Sequence, residues 1–183
     1  MFAIPGTHDA IVRLSRGAGV PGPLPDVLGL AFRVTDAYGP GLHQDALLVS
    51  SGTAPVLRHA ILPGPRGFFS HLYSSVAPFH ASGALYVLGA RCTDSGPSPS
   101  SVEGAAAVAQ GRRFEVLVAR LGGPWEPVGE LRLEERLPGR EIEDLRFNPH
   151  NTSDDLRPRG PFMRLRDPAY RGSQAGRAGA RHD

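Results

Sequence analysis

The sequence has no lysine, one cysteine, one tryptophan and no long apolar run, and each shortage narrows what it can encode. A single cysteine, Cys92, excludes an intramolecular disulfide. No base stands beside Cys92 in the sequence, so we expect a buried or edge thiol rather than a catalytic one. No stretch of about 18 apolar residues occurs, and the N-terminus lacks the basic and apolar regions of a signal peptide. We therefore expect a cytoplasmic protein without a membrane span.

The charged residues point to no polyanionic partner. All 20 basic residues are arginine, yet the net charge is only +2, and no aromatic-and-basic motif accompanies them, so nucleic-acid binding is not predicted. The 7 histidines show no zinc-ligand spacing. Neither a phosphate-binding loop nor a serine nucleophile elbow is present.

Glycine and proline, by contrast, are abundant, at 23 and 18 residues, and they divide the chain into short apolar segments. Residues 53–80 are expected to be irregular and 102–109 to form a short helix. This pattern predicts a mainly β fold, α+β at most, in which an antiparallel sheet curls into a barrel. One domain is expected over residues 1–177, followed by a disordered tail over 178–183. The predicted strands are 9–15, 26–35, 45–51, 83–91, 114–121 and 128–134.

The C-terminal region contains an arginine, a tyrosine four residues later and a second arginine seven residues further on: Arg166, Tyr170 and Arg177. Guanidinium groups stay charged and favour the ionised form of a nearby tyrosine, which is then a hard anionic ligand. The alternative is a solvated arginine-rich tail with an incidental tyrosine. The spacing resembles the proximal haem motif of the haem catalases, in which a tyrosinate binds the iron.

Other segments resemble haem catalases in the same order along the chain. One is the Val-Arg-Leu-Ser of residues 12–15, which is similar to the Val-Arg-Phe-Ser strand of that family. The resemblance implies a short catalase-like barrel that keeps the haem-binding tail and lacks the wrapping arms, with haem b as cofactor. The other matching segments are 25–34, 45–51, 127–133 and 145–151.

The resemblance also implies roles for individual residues. Tyr170 would bind the haem iron, and Arg166 would donate to its phenolate oxygen. Arg177 and Arg13 would pair with the haem propionates, and Ser15 would lie on the distal, catalytic side of the haem. Without the resemblance, Arg13 reads as an exposed strand arginine and Ser15 as a strand-end serine.

The distal histidine of the family is not found. Only His8 precedes Arg13, and we expect it to be a turn residue; Ser50 and Ser51 stand where the family has asparagine. Peroxide cleavage needs a group that moves a proton, a role that suits histidine. Either the chain begins inside a longer gene product or the protein has given up catalysis. A barrel without its first strand would have an open edge that favours a homodimer.

Two functional hypotheses follow. The first is a weak haem peroxidase or catalase that acts on hydrogen peroxide or a small organic hydroperoxide. The second is a non-catalytic, truncated catalase-like barrel that binds haem as a carrier or binds a protein partner.

Overall fold

The computed structural model describes residues 6–17, 26–62, 67–81, 83–139, 145–148 and 157–158. Within these ranges, 9 strands form a single sheet, and every strand pair is antiparallel. The predicted mainly β, antiparallel class is confirmed. The strands are β1 (Ala10–Arg16), β2 (Leu28–Val34), β3 (Gln44–Ser51), β4 (Leu72–Ser74), β5 (Phe79–Ala81), β6 (Ala84–Cys92), β7 (Arg113–Arg120), β8 (Glu126–Arg132) and β9 (Arg157–Pro158).

The sheet curls into a half-barrel. Its order begins β1-β2-β3-β4-β6. Strand β6 also pairs with β7 and with β5. Strand β7 pairs in turn with β8, and β5 pairs with β9. In the described part of the chain, β1 pairs only with β2 and β8 pairs only with β7. These two strands therefore mark two edges of the curled sheet.

The main hydrophobic core lies on one face of the sheet, here called the core face. Alternate residues of the central strands supply it, because successive side chains of a strand point to opposite faces. Tyr73 is buried there, and its hydroxyl donates to the carbonyl oxygen of Phe68 at 2.7 Å. The largest aliphatic and aromatic members of this core are Leu28, Leu30, Phe32, Leu48, Phe68, Phe69, Tyr73, Leu88 and Phe114.

Two helices are described. A 3₁₀ helix spans Leu57–His59, and the α-helix α1 spans Val102–Ala107, close to the predicted 102–109. The Ser101 side chain caps α1 by accepting from the Gly104 backbone nitrogen at 3.1 Å, as N-cap serines do. Ala105 of α1 is buried in the main core. In the described residues, no helix is long and apolar enough to cross a membrane.

Two expectations about individual elements are wrong. Residues 53–80 were expected to be irregular, but they contain β4 and most of β5, which are each only three residues long. The strand over 128–134 was expected to be half-buried, but β8 is almost entirely exposed. It lies at an edge of the sheet, and its pairing with β7 shifts register between Val116 and Leu117.

Candidate functional site

Arg13 and Ser15 point away from the main core. Their neighbours in β1, Val12 and Leu14, pack against that core, so alternation places Arg13 and Ser15 on the opposite face of the sheet, here called the second face. Ile11 confirms this assignment, because it packs against a separate cluster on the second face. The alternation of β1 therefore brings together the two β1 residues to which a ligand-binding role was assigned.

Phe147 covers the second face next to Arg13. Its ring is buried and packs against Ala31 of β2 and Leu47 of β3. The guanidinium carbon of Arg13 lies 5.0 Å from the ring centroid, and that of Arg33 lies 5.5 Å from it. Contacts of this kind between a cation and the face of an aromatic ring are attractive. The two arginines therefore flank the aromatic side chain that covers this part of the sheet.

A buried ion pair holds the segment 145–148 in this position. Arg33 donates through Nε and Nη2 to the two carboxylate oxygens of Asp45 at 2.6 and 2.7 Å. The same carboxylate accepts from the Asn148 backbone nitrogen at 2.7 Å, and Arg33 Nη2 also donates to the Arg146 carbonyl oxygen at 2.5 Å. The hydrogen bond to Asp45 raises the pKa of Arg33, so the guanidinium stays charged.

A row of five residues crosses the second face, and four of them are serine or glycine. The strand registers align Ser15, Gly29, Val49, Ser74 and Gly89 in that order from β1 to β6. A Cβ atom at Gly29 would lie 2.5 Å from the Ser15 hydroxyl, and one at Gly89 would lie 2.8 Å from the ring of Trp125. Side chains from neighbouring elements therefore pack directly onto the backbone at both glycines.

The other predicted site residues have different outcomes. Tyr170, Arg166 and Arg177 lie outside the described residues. His8, which was expected to be a turn residue, is exposed just before β1 and lies in no turn. Among the described residues, no group of three or more histidine, cysteine, aspartate or glutamate side chains could hold a metal ion.

Ser50 and Ser51, which were expected near the position of the distal asparagine of the haem catalases, serve the fold. Ser50 Oγ accepts from the Leu28 backbone nitrogen at 3.1 Å and donates to the Leu62 carbonyl oxygen at 2.5 Å. Ser51 Oγ donates to the Leu72 carbonyl oxygen at 3.4 Å. Cys92, expected to be a buried or edge thiol, is half-buried at the end of the interior strand β6, and its sulfur donates weakly to the Asp94 carbonyl oxygen at 3.8 Å.

Sequence reasoning missed the contact between the buried Arg58 and the half-buried Trp125. The Arg58 side chain belongs to the 3₁₀ helix and is 1% exposed, and its guanidinium carbon lies 4.4 Å from the centroid of the Trp125 ring. Burial lowers the pKa of Arg58 below its usual range, because charge is disfavoured away from water. The two residues are distant in the sequence and match no spacing motif, so no local pattern indicates their contact.

Comparison with protein-family models, with curated proteins and with solved structures finds no match. The residues of the chain itself therefore carry the functional conclusion.

Proposed function

We propose that this protein binds haem b and acts as a weak peroxidase on hydrogen peroxide or a small organic hydroperoxide. The observation that supports it is the common placement of Arg13 and Ser15 on the second face, beside Arg33 and the segment 145–148. A guanidinium suits the carboxylates that haem carries, because its planar fork matches carboxylate geometry. This placement is what supports the role proposed for Arg13.

The described residues fit one part of haem. Arg13 fits the propionate carboxylates, whereas Phe147 already covers the apolar surface of Ala31 and Leu47. The iron ligand would be Tyr170, which stands between Arg166 and Arg177 in the sequence. These three residues would hold the rest of the cofactor from outside the described part of the chain. Bound haem would supply the redox chemistry that reduces a peroxide.

The residues of the second face favour slow turnover. Ser15 carries a hydroxyl, which can hydrogen bond to a peroxide but is not a base near neutral pH. Ser50 and Ser51 direct their hydroxyls to backbone groups. Only His8 precedes Arg13, and it is exposed. Proton transfer would therefore rely on water, and a weak peroxidase is the expected result.

Haemin titration of the purified protein tests the proposal. We expect a stoichiometric Soret band with the wild type and a shifted or lost band with Tyr170→Phe. Arg13→Gln should weaken haemin binding roughly 10-fold, the effect of losing one charge-assisted hydrogen bond. Arg91→Gln is the matched control, since Arg91 is an exposed strand arginine that pairs with Glu115, and it should bind haemin as the wild type does.

Two outcomes would contradict the proposal. Haemin that keeps its free spectrum with the wild type would exclude haem binding. A stoichiometric band without peroxide-dependent oxidation of a dye would exclude the peroxidase activity and leave a haem carrier.

A second candidate function is self-association through β1. Antiparallel pairs alternate between residues that bond across the pair and residues that face away from it. Gly17 donates to the Val27 carbonyl oxygen at 2.6 Å, and Thr35 donates to that of Asp9 at 3.1 Å. By this alternation, the odd-numbered residues of β1 bond to β2, and the even-numbered ones turn their backbone groups to the outer edge. That edge suits a strand of a second copy of the chain.

A further inference from the structure

Arg58 is a buried cation, and two of its nitrogen donors have no acceptor within the described residues. Arg58 is 1% exposed, and its Nε and Nη1 atoms are buried without a hydrogen-bond partner. The indole nitrogen of Trp125, on the ring that stacks against Arg58, is also buried without a partner. Buried donors are almost always paired, and each exception needs an explanation.

Arg112 shows how this chain satisfies a buried arginine for structural purposes. It is 8% exposed and stacks on Phe69, with its guanidinium carbon 5.0 Å from the ring centroid. Its Nη1 donates to the Ser95 carbonyl oxygen at 3.0 Å, and its Nη2 donates to the Pro97 carbonyl oxygen at 2.8 Å. Arg58 has the same aromatic stacking, but its Nε and Nη1 have no acceptor in the part of the chain that the structure describes, so stacking alone does not account for its burial.

Hydrogen bonds connect the residue next to Arg58 with the loop at Val76. His59, the next residue, donates through Nδ1 to the Val76 carbonyl oxygen at 2.9 Å. Val76 has a positive φ of 61°, a strained conformation for a β-branched residue. The Val76 backbone nitrogen donates to Ser74 Oγ at 3.1 Å. Strain that a well-bonded loop maintains is typical of positions where a structure is organised in advance for a ligand.

We propose that Arg58 and Trp125 form a binding site for a small oxyanion. The unsatisfied groups are all N–H donors, and one of them carries a full positive charge, so the ligand must supply acceptors and negative charge. Because Arg58 is almost fully enclosed, the ligand is of the size of inorganic phosphate or a short carboxylate. The site involves neither Arg13 nor Tyr170, so its existence does not depend on haem binding.

Trp125 is the single tryptophan of the chain, so intrinsic tryptophan fluorescence reports on this site alone. We expect a saturable change in emission when the full chain is titrated with inorganic phosphate at constant ionic strength, with chloride as the balancing anion. Arg58→Met, which keeps the apolar stem and removes the charge, should abolish the change. Arg120→Met is the matched control: Arg120 stacks on Tyr86 at 5.8 Å but is exposed, so it should respond as the wild type does.

Thermal unfolding gives a second readout that does not rely on fluorescence. Phosphate should raise the Tm of the wild type, because a ligand of the native state stabilises it, and should leave the Tm of Arg58→Met unchanged. Without phosphate, Arg58→Met should melt about 3 °C higher than the wild type or more, since a buried unpaired charge has been removed.

A parallel titration with succinate separates the two ligand sources. A tighter response to phosphate than to succinate would assign the site to phosphate, and the reverse order would assign it to a carboxylate. Equal responses of the wild type and Arg58→Met to both anions would overturn the proposal, as would a wild type that responds to neither.

Discussion

At the scale of single residues, Asp45 and Arg33 neutralise each other's charge beside Phe147. The Asp45 side chain is 0% exposed and that of Arg33 is 13% exposed, so neither can rely on water for solvation. Asp45 also accepts the Asn148 backbone N–H. One carboxylate therefore links β2, β3 and the segment 145–148, and the cover over the second face depends on it.

Asp45→Asn tests this dependence. The asparagine amide is uncharged and has one oxygen acceptor, so it cannot replace the two carboxylate oxygens that accept from Arg33 and Asn148. Arg33 keeps its positive charge in the variant, because its pKa lies above any physiological pH. Removing one partner of a buried pair leaves an uncompensated charge, so we expect the free energy of unfolding to fall by about 3 kcal/mol. Urea denaturation measures it, with Asp9→Asn at an exposed position as control. A loss below about 1 kcal/mol would show that water already solvates the pair.

At the scale of elements, β1 and β2 fit together at Ser15 and Gly29. These residues are opposite each other in the register, and the Ser15 hydroxyl occupies the space where a Cβ atom of residue 29 would lie. Gly29 therefore leaves room for the Ser15 hydroxyl of the neighbouring strand, and its own backbone conformation does not demand glycine.

Gly29→Ala should destabilise the protein by about 1–3 kcal/mol, the range for overpacking a well-packed site. The remaining neighbours of the new methyl group would be at ordinary contact distances of 3.6 and 3.9 Å. The double variant Ser15→Ala with Gly29→Ala should therefore recover most of the loss. A double-mutant cycle by thermal denaturation gives the coupling. Additive effects would show that Ser15 does not press on residue 29.

The strands were predictable from the sequence to different degrees. β1, β2, β3, β6 and β7 each lie within two residues of the predicted bounds, because apolar alternation and flanking turns specify them locally. β4 and β5 were missed, since three residues are too few to show a period. The exposure of β8 could not be predicted either, because alternation within a strand does not reveal that it lies at an edge.

The candidate sites were predictable only where strand alternation applies. The common face of Arg13 and Ser15 follows from their spacing in β1. The contact of Phe147 with Arg13 and Arg33 joins residues far apart in sequence, and so does the stacking of Arg58 on Trp125. Such contacts arise from the curl of the sheet and the paths of the connections, which no local period encodes.

At the scale of the whole molecule, two of the edge strands in the described part of the half-barrel, β1 and β8, differ in character. β8 is almost entirely exposed, whereas every residue of β1 from Ile11 to Arg16 is half-buried. β1 is long, half-buried and free of proline, so its outer edge can pair with another chain, although Arg13 and Arg16 add charge to it. β1 is therefore the edge at which we place a second copy.

Ala10→Pro tests this assembly without disturbing the β1–β2 pairing. Ala10 is exposed, and the odd-even alternation turns its backbone N–H away from β2, so proline removes a donor only from the outer edge. We expect sedimentation equilibrium to show a wild-type dimer whose dissociation constant rises about 10-fold in Ala10→Pro, the effect of losing one backbone hydrogen bond and constraining the edge. Ala10→Ser keeps the N–H and should dimerise as the wild type does. A wild type that stays monomeric at all concentrations, or a proline variant with unchanged affinity, would assign the β1 edge no role in assembly.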